Sequence, residues 1–238
     1  MSPSHSPAMR RFTPGLAPLL LVFCGLLPAM ARADCSDGPR AGVDWHQCEK
    51  NRLILRGVNL QGSKLTGTAL NGTDFADANL TGADLTRASV ERARFSGASL
   101  ERAKLVRLIG YRTNFSAAKM AGVDLTKAEL MRSNFTSAAM PNANLEKAEL
   151  QRATMDSANL TAVNFTGADL ARTSLLKATL GGARFTQARM FLTRIEGVDL
   201  SSALDITQAQ LNTACGSAQT KLPQGLKPAK TWPCRSDE

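Results

Sequence analysis

The chain has 238 residues, with 29 basic and 20 acidic side chains for a formal charge of +9, and its mean hydropathy is −0.15. That hydropathy excludes a polytopic membrane protein, and an aromatic content of 5% leaves few stacking platforms for nucleic acid.

Residues 1–33 read as a signal peptide cleaved before Asp34: Arg10 and Arg11 precede an apolar stretch from Leu16 to Met30, followed by Ala31-Arg32-Ala33. The alternative is an uncleaved anchor, against which stand Pro18, Pro28, the short apolar run and the A-x-A site. Phe23 before Cys24 and Asp34 before Cys35 argue against a lipoprotein. The expected address is the bacterial periplasm or the medium, with no membrane span in the mature chain. Cleavage removes three arginines, Cys24 and no acid, which leaves 26 bases against 20 acids, a formal +6. Four cysteines remain, Cys35, Cys48, Cys215 and Cys234, in a compartment that oxidises thiols.

Three parts follow the leader: a head over 34–57, repeats over 58–203 and a tail over 204–238. From Leu60 to Leu200 every fifth residue is large and apolar, Gly110 excepted, with no insertion or deletion. Of these 29 centres, sixteen are Leu, six Phe and four Met, and two places earlier the residue is small, Ala in 17 cases. Each unit therefore offers one large and one small side chain to a shared interior. A period of five fits neither helix nor strand, so the unit is a repeat of another kind.

Segments such as Ala78-Asn79-Leu80-Thr81-Gly82, Ala83-Asp84-Leu85-Thr86-Arg87 and Ala168-Asp169-Leu170-Ala171-Arg172 resemble the pentapeptide-repeat family, whose unit is A-(D/N)-L-x-x. The resemblance implies an all-β fold, a right-handed quadrilateral β-solenoid with four pentapeptides per coil. Stacked at about 4.8 Å, about seven coils would make a rod on the order of 35 Å long. Phe75, Phe95, Phe115 and Phe135 then form one interior column, and Phe165 and Phe185 belong to another.

At Gly110 the pattern inverts, because Leu108 occupies the usually small position. Either this is a volume-conserving exchange within one unit, or Leu108-Ile109-Gly110-Tyr111 bulges to present Tyr111. Trp45, Leu53, Ile54 and Leu55 are expected to form an apolar lid on the first coil. Thr207 and Gln210 have capping-box spacing, Ile206 and Leu211 suit a hydrophobic staple, and Gly216 suits a stop. These predict a short helix over 208–215 on the last coil. In a rod of the implied length, head and tail cysteines lie too far apart to pair, which leaves Cys35 with Cys48 and Cys215 with Cys234. Zinc is the alternative reading, with His46 the sole histidine of the mature chain to accompany the thiols.

That lone histidine leaves little for acid–base or nucleophilic catalysis, and no Gly-rich phosphate loop, H-E-x-x-H or G-x-S-x-G occurs. No enzyme activity, metal or cofactor is expected. In steps of 20 residues the outward positions give two basic columns: Arg92, Arg112, Arg132, Arg152 and Arg172, and Arg87, Arg107, Lys127 and Lys147. Glu129, Glu149 and Asp169 fall between them and are expected to balance the later coils as a charge ladder. In the earlier coils Ser89 and Ile109 replace the acids, so Arg87, Arg92, Arg107, Tyr111, Arg112, Met131 and Arg132 make the candidate binding patch. Guanidinium groups suit carboxylate or phosphate, which points to an anionic envelope component or protein as partner. No nucleic-acid partner is expected of a modest charge with interleaved acids. Some members of the family mimic DNA and bind a topoisomerase, and that activity calls for an acidic surface and a cytoplasmic address.

Overall fold

The structure is a computed structural model and describes residues 34–234; the expected signal peptide lies outside the described residues. Each pentapeptide forms one side of a coil. Its centre and the residue two places earlier both point inward: Ala83 and Leu85 are 0% exposed, and Ala93 and Phe95 at most 1%. The residue between them pairs with neighbouring coils in parallel at a spacing of 20 residues, as in Asn79 with Ser99 and Asp84 with Lys104. The N–H of Lys64 donates back to Val43 O at 2.9 Å and that of Leu65 forward to Asp84 O at 2.7 Å, so each side is tied to the coils before and after it.

The two remaining residues form a β-turn closed by the next small residue, as where the Ala78 N–H donates to Phe75 O at 3.0 Å. The preference for Asp or Asn at the paired position has a local cause. Asp84 Oδ1 accepts the Thr86 N–H at 2.9 Å and Asn79 Oδ1 accepts the Thr81 N–H at 3.1 Å, which steadies the turn. The inward hydroxyls are also satisfied: Thr113 Oγ1 donates to Val90 O at 2.8 Å and Ser133 Oγ to Gly110 O at 2.7 Å.

The expected aromatic column exists. Phe75, Phe95, Phe115 and Phe135 stack with centroids 4.7, 5.0 and 5.0 Å apart, and Phe165 meets Phe185 at 5.3 Å. These distances match the strand spacing of stacked coils. At the inverted unit Leu108 is 0% exposed, and Ile109 pairs in register with both Ser89 and Glu129, so there is no bulge. A Cβ on Gly110 would lie 3.0 Å from Leu130 Cδ2, 3.1 Å from Thr113 Oγ1 and 3.3 Å from Val90 Cγ2. The neighbouring layers have closed over the space.

The pairing starts within the expected head, at Asp44, and reaches Leu204 in eight steps of 20 residues. Trp45 is buried as the interior residue of the first coil, and its Nε1–H donates to Asp37 O at 3.0 Å. Ile54 departs from the expected lid: it occupies the outward paired position and is 81% exposed, because its neighbours Leu53 and Leu55 take the two inward places. Cys35 is bonded to Cys48 and Cys215 to Cys234, with Cα separations of 5.5 and 5.2 Å.

At the tail, α1 (Gln208–Thr213) begins with the capping box of Thr207 and Gln210. Gln210 Nε2 also donates to Phe185 O at 2.7 Å and Ala188 O at 2.8 Å, which satisfies carbonyls at the open edge of the last coil. Ile206 and Leu211 both join the core. The helix ends sooner than expected and not at Gly216, since Ala214 caps it in extended conformation and Cys215 returns to the ladder beside Arg194. Gly216 has another use: a Cβ there would lie 2.5 Å from the Trp232 ring, so its absence lets the tail tryptophan pack.

Candidate functional site

Two corners of the coil carry the basic columns, and the backbone there, as at the other corners, is left-handed. The second turn residue sits in the left-handed region, with φ of 58° at Arg87, 55° at Arg92, 55° at Arg107 and 57° at Arg112. Where Gly62 or Gly67 occupies this position the conformation is free of strain, whereas for an L-residue with a Cβ it costs about 1–2 kcal/mol. Lys127, Arg132, Lys147, Arg152 and Arg172 share the same conformation. These nine cations stand at corners that glycine would fill at lower cost, on two lines that border one side of the solenoid; Arg52 continues the Arg92 line toward the head, and Arg102 and Lys177 occupy left-handed corners elsewhere.

All nine are exposed. Among the described residues, Lys147 alone of the nine has an ion pair, at 3.3 Å to the adjacent Glu146. The expected charge ladder therefore does not form. Asp169 Oδ2 instead takes Arg189 Nη1 at 3.0 Å and Gln151 Nε2 at 2.9 Å, while its Oδ1 accepts the Ala171 N–H at 3.0 Å. Glu129 and Glu149 are exposed and have no ion pair among the described residues. Neighbours in the column count are therefore not ion-pair contacts among the described residues.

Tyr111 and Met131 are half-buried at successive levels just before the Arg112 and Arg132 corners. The Arg112 guanidinium lies 5.1 Å from the Tyr111 ring centroid, a cation–π contact that holds the ring beside the charged column. Ile109, 37% exposed, lies on the flat between Arg107 and Arg112. The patch read from sequence is thus assembled on one face, and Lys127, Lys147, Arg152 and Arg172 extend it through the coils expected to be neutralised. The corner position itself was the signal for these four. Toward the tail the same side ends at Phe191, 45% exposed, which lines a cleft with Met190, Gln210 and Thr213.

Among the described residues no cluster of His, Cys, Asp and Glu is suited to hold a metal ion, and no helix is long and apolar enough to cross a membrane. His46 projects from the first coil and is exposed.

Two family models match the chain, one described as pentapeptide repeat region over residues 111–185 and one as pentapeptide repeats (8 copies) over residues 54–92. No curated protein matches the sequence closely enough to count as a relative. Among solved structures, full-length QnrB1, a plasmid-mediated fluoroquinolone resistance protein, superposes with a TM-score of 0.64 at 17% identity, covering 76% of this chain and 91% of that one. A trypsin-treated form of QnrB1 gives a TM-score of 0.55 at 18% identity, with coverage of 73% and 91%. At this identity the likeness carries the fold alone.

Proposed function

We propose that this chain, which belongs to the pentapeptide-repeat family, is an exported, non-enzymatic binding module built as a right-handed quadrilateral solenoid. Its Arg-rich side holds an anionic partner in the cell envelope. The observation that carries this reading is the pair of exposed basic columns, in which eight of the nine cations have no ion pair among the described residues. A signal peptide ahead of the disulfide-closed ends supports the exported address.

The DNA-mimic reading, with a topoisomerase as partner, needs an acidic side, and the two basic columns oppose it. Cross-linking in intact envelopes, with partner identification by mass spectrometry, tests the proposal. The wild-type chain should yield an anionic partner, and a variant with Arg87, Arg92, Arg107 and Arg112 changed to Glu should lose it. Equal recovery by both would overturn the reading.

A further inference from the structure

The arrangement of charge on this side narrows the partner further, on the premise that the side binds an anion at all. The geometry points to a linear acidic polysaccharide lying along the solenoid axis between the two corner columns. Three observations select this occupant.

Cations recur once per coil, and the interior phenylalanine stacks set that step at 4.7–5.0 Å. Five arginines in one column span about 19 Å at this spacing, so the ligand is extended and multivalent. An acidic peptide fits poorly, because side chains on one side of an extended strand recur at about 6.6–6.8 Å and drift out of register with the ladder.

The flat between the columns is not uniformly basic, since Glu129 and Glu149 stand exposed there with no ion pair among the described residues. Polyphosphate and single-stranded DNA carry no hydroxyl donors along their backbones, so they would bring phosphate charge against these carboxylates with nothing to donate to them. A polysaccharide carries its acid groups among neutral hydroxyls. The acids face guanidinium groups, and the hydroxyls donate to Glu129 and Glu149.

Phe191, 45% exposed, supplies an aromatic surface on the same side, four coils from Tyr111 in sequence register, and a sugar ring offers a C–H face to such a surface.

The test uses the protein purified from cells and oligogalacturonates of graded length, with polyphosphate, poly-glutamate and single-stranded DNA of matched charge as comparators. Affinity for oligogalacturonate should rise by about two- to fivefold per added carboxylate engaged, as expected for exposed ion pairs, and level off once the ladder is spanned. Arg92→Gly, Arg112→Gly and Arg132→Gly together should weaken binding by about tenfold or more without lowering the melting temperature, because glycine suits each left-handed corner. Glu129→Gln with Glu149→Gln should weaken oligogalacturonate binding and strengthen polyphosphate binding. Affinity independent of length, tighter binding of a comparator, or full affinity in the folded glycine variant would overturn the assignment. Loss of the cross-linked envelope partner on charge reversal, with no oligogalacturonate binding, would overturn the polysaccharide and leave the anionic-partner reading standing.

Discussion

Arg189 Nη1 lies 3.0 Å from Asp169 Oδ2, so the acid expected to neutralise the Arg152 and Arg172 corners is held within its own column by the next coil. Asp169 is 21% exposed and Arg189 65%, which makes the pair a weak contributor to stability. Asp169→Asn should change stability by under about 1 kcal/mol and alter anion affinity by less than about twofold. Denaturant melts and binding isotherms check both. A large gain in affinity would mean that Asp169 does screen the corner cations.

Corner arginines and corner glycines share one backbone conformation, with φ of 60° at Arg152 and 65° at Gly67. Arg152→Gly should therefore raise stability by up to about 1 kcal/mol, the left-handed cost less the added entropy of an unfolded glycine. Gly67→Ala should lower it by about 1–2 kcal/mol, since the new Cβ meets only Gln47 Cγ at 3.5 Å and any loss reflects the backbone. Urea unfolding of the two single variants separates these directions.

Leu108→Ala should cost about 2–5 kcal/mol, as for a fully buried leucine. Gly110→Leu, which restores the repeat pattern, should also destabilise, because even a Cβ there approaches Leu130 to 3.0 Å. The two sites belong to one unit, so the double variant should cost less than the sum of the singles. A double-mutant cycle showing strict additivity would sink the exchange.

At the tail, Gly216→Ala forces a Cβ to 2.5 Å from the Trp232 ring. Trp232 should leave its site, break its Nε1–H bond to Ala214 O at 2.7 Å, and shift its fluorescence to the red. Cys234→Ser should release the same segment and lower stability by roughly 3 kcal/mol in the chain-entropy model. Unchanged tryptophan emission in both variants would show that the tail is held by other contacts.

Asp199 joins the last coil to the tail through Lys221 Nζ at 3.1 Å. The Ser201 hydroxyl and N–H, with Lys221, hold its carboxyl down at about 2. A depressed folded value contributes stability that is fully present above the unfolded value of 3.8 and is lost as pH falls through about 2. Ser201→Ala should raise the Asp199 titration midpoint toward the usual carboxylate range, as followed by NMR of its side chain.

The five-residue alternation of large and small residues specified which positions point inward, and the resemblance to pentapeptide repeats implied the 20-residue coil that places the phenylalanines in columns. In a narrow interior only one pairing of Ala83-type and Leu85-type positions fills the space, and a slip would turn both outward. Capping-box chemistry at Thr207 and Gln210 was equally local and equally legible. Ile54 was misplaced because apolar character alone does not distinguish the inward from the outward position without the register, which extends to Asp44. Gly216 was misplaced because its reason is Trp232, sixteen residues away and brought back by the fold.

Sequence by itself determined the inward and outward positions, and the coil implied by the family resemblance then put arginines and lysines in two columns beside a line of acids. Only the tertiary structure decided that, Lys147 apart, those columns make no ion pairs among the described residues. Whether two charges meet depends on the direction in which each side chain leaves the backbone. The left-handed corners send the nine cations outward, while Asp169 is claimed by Gln151 and Arg189.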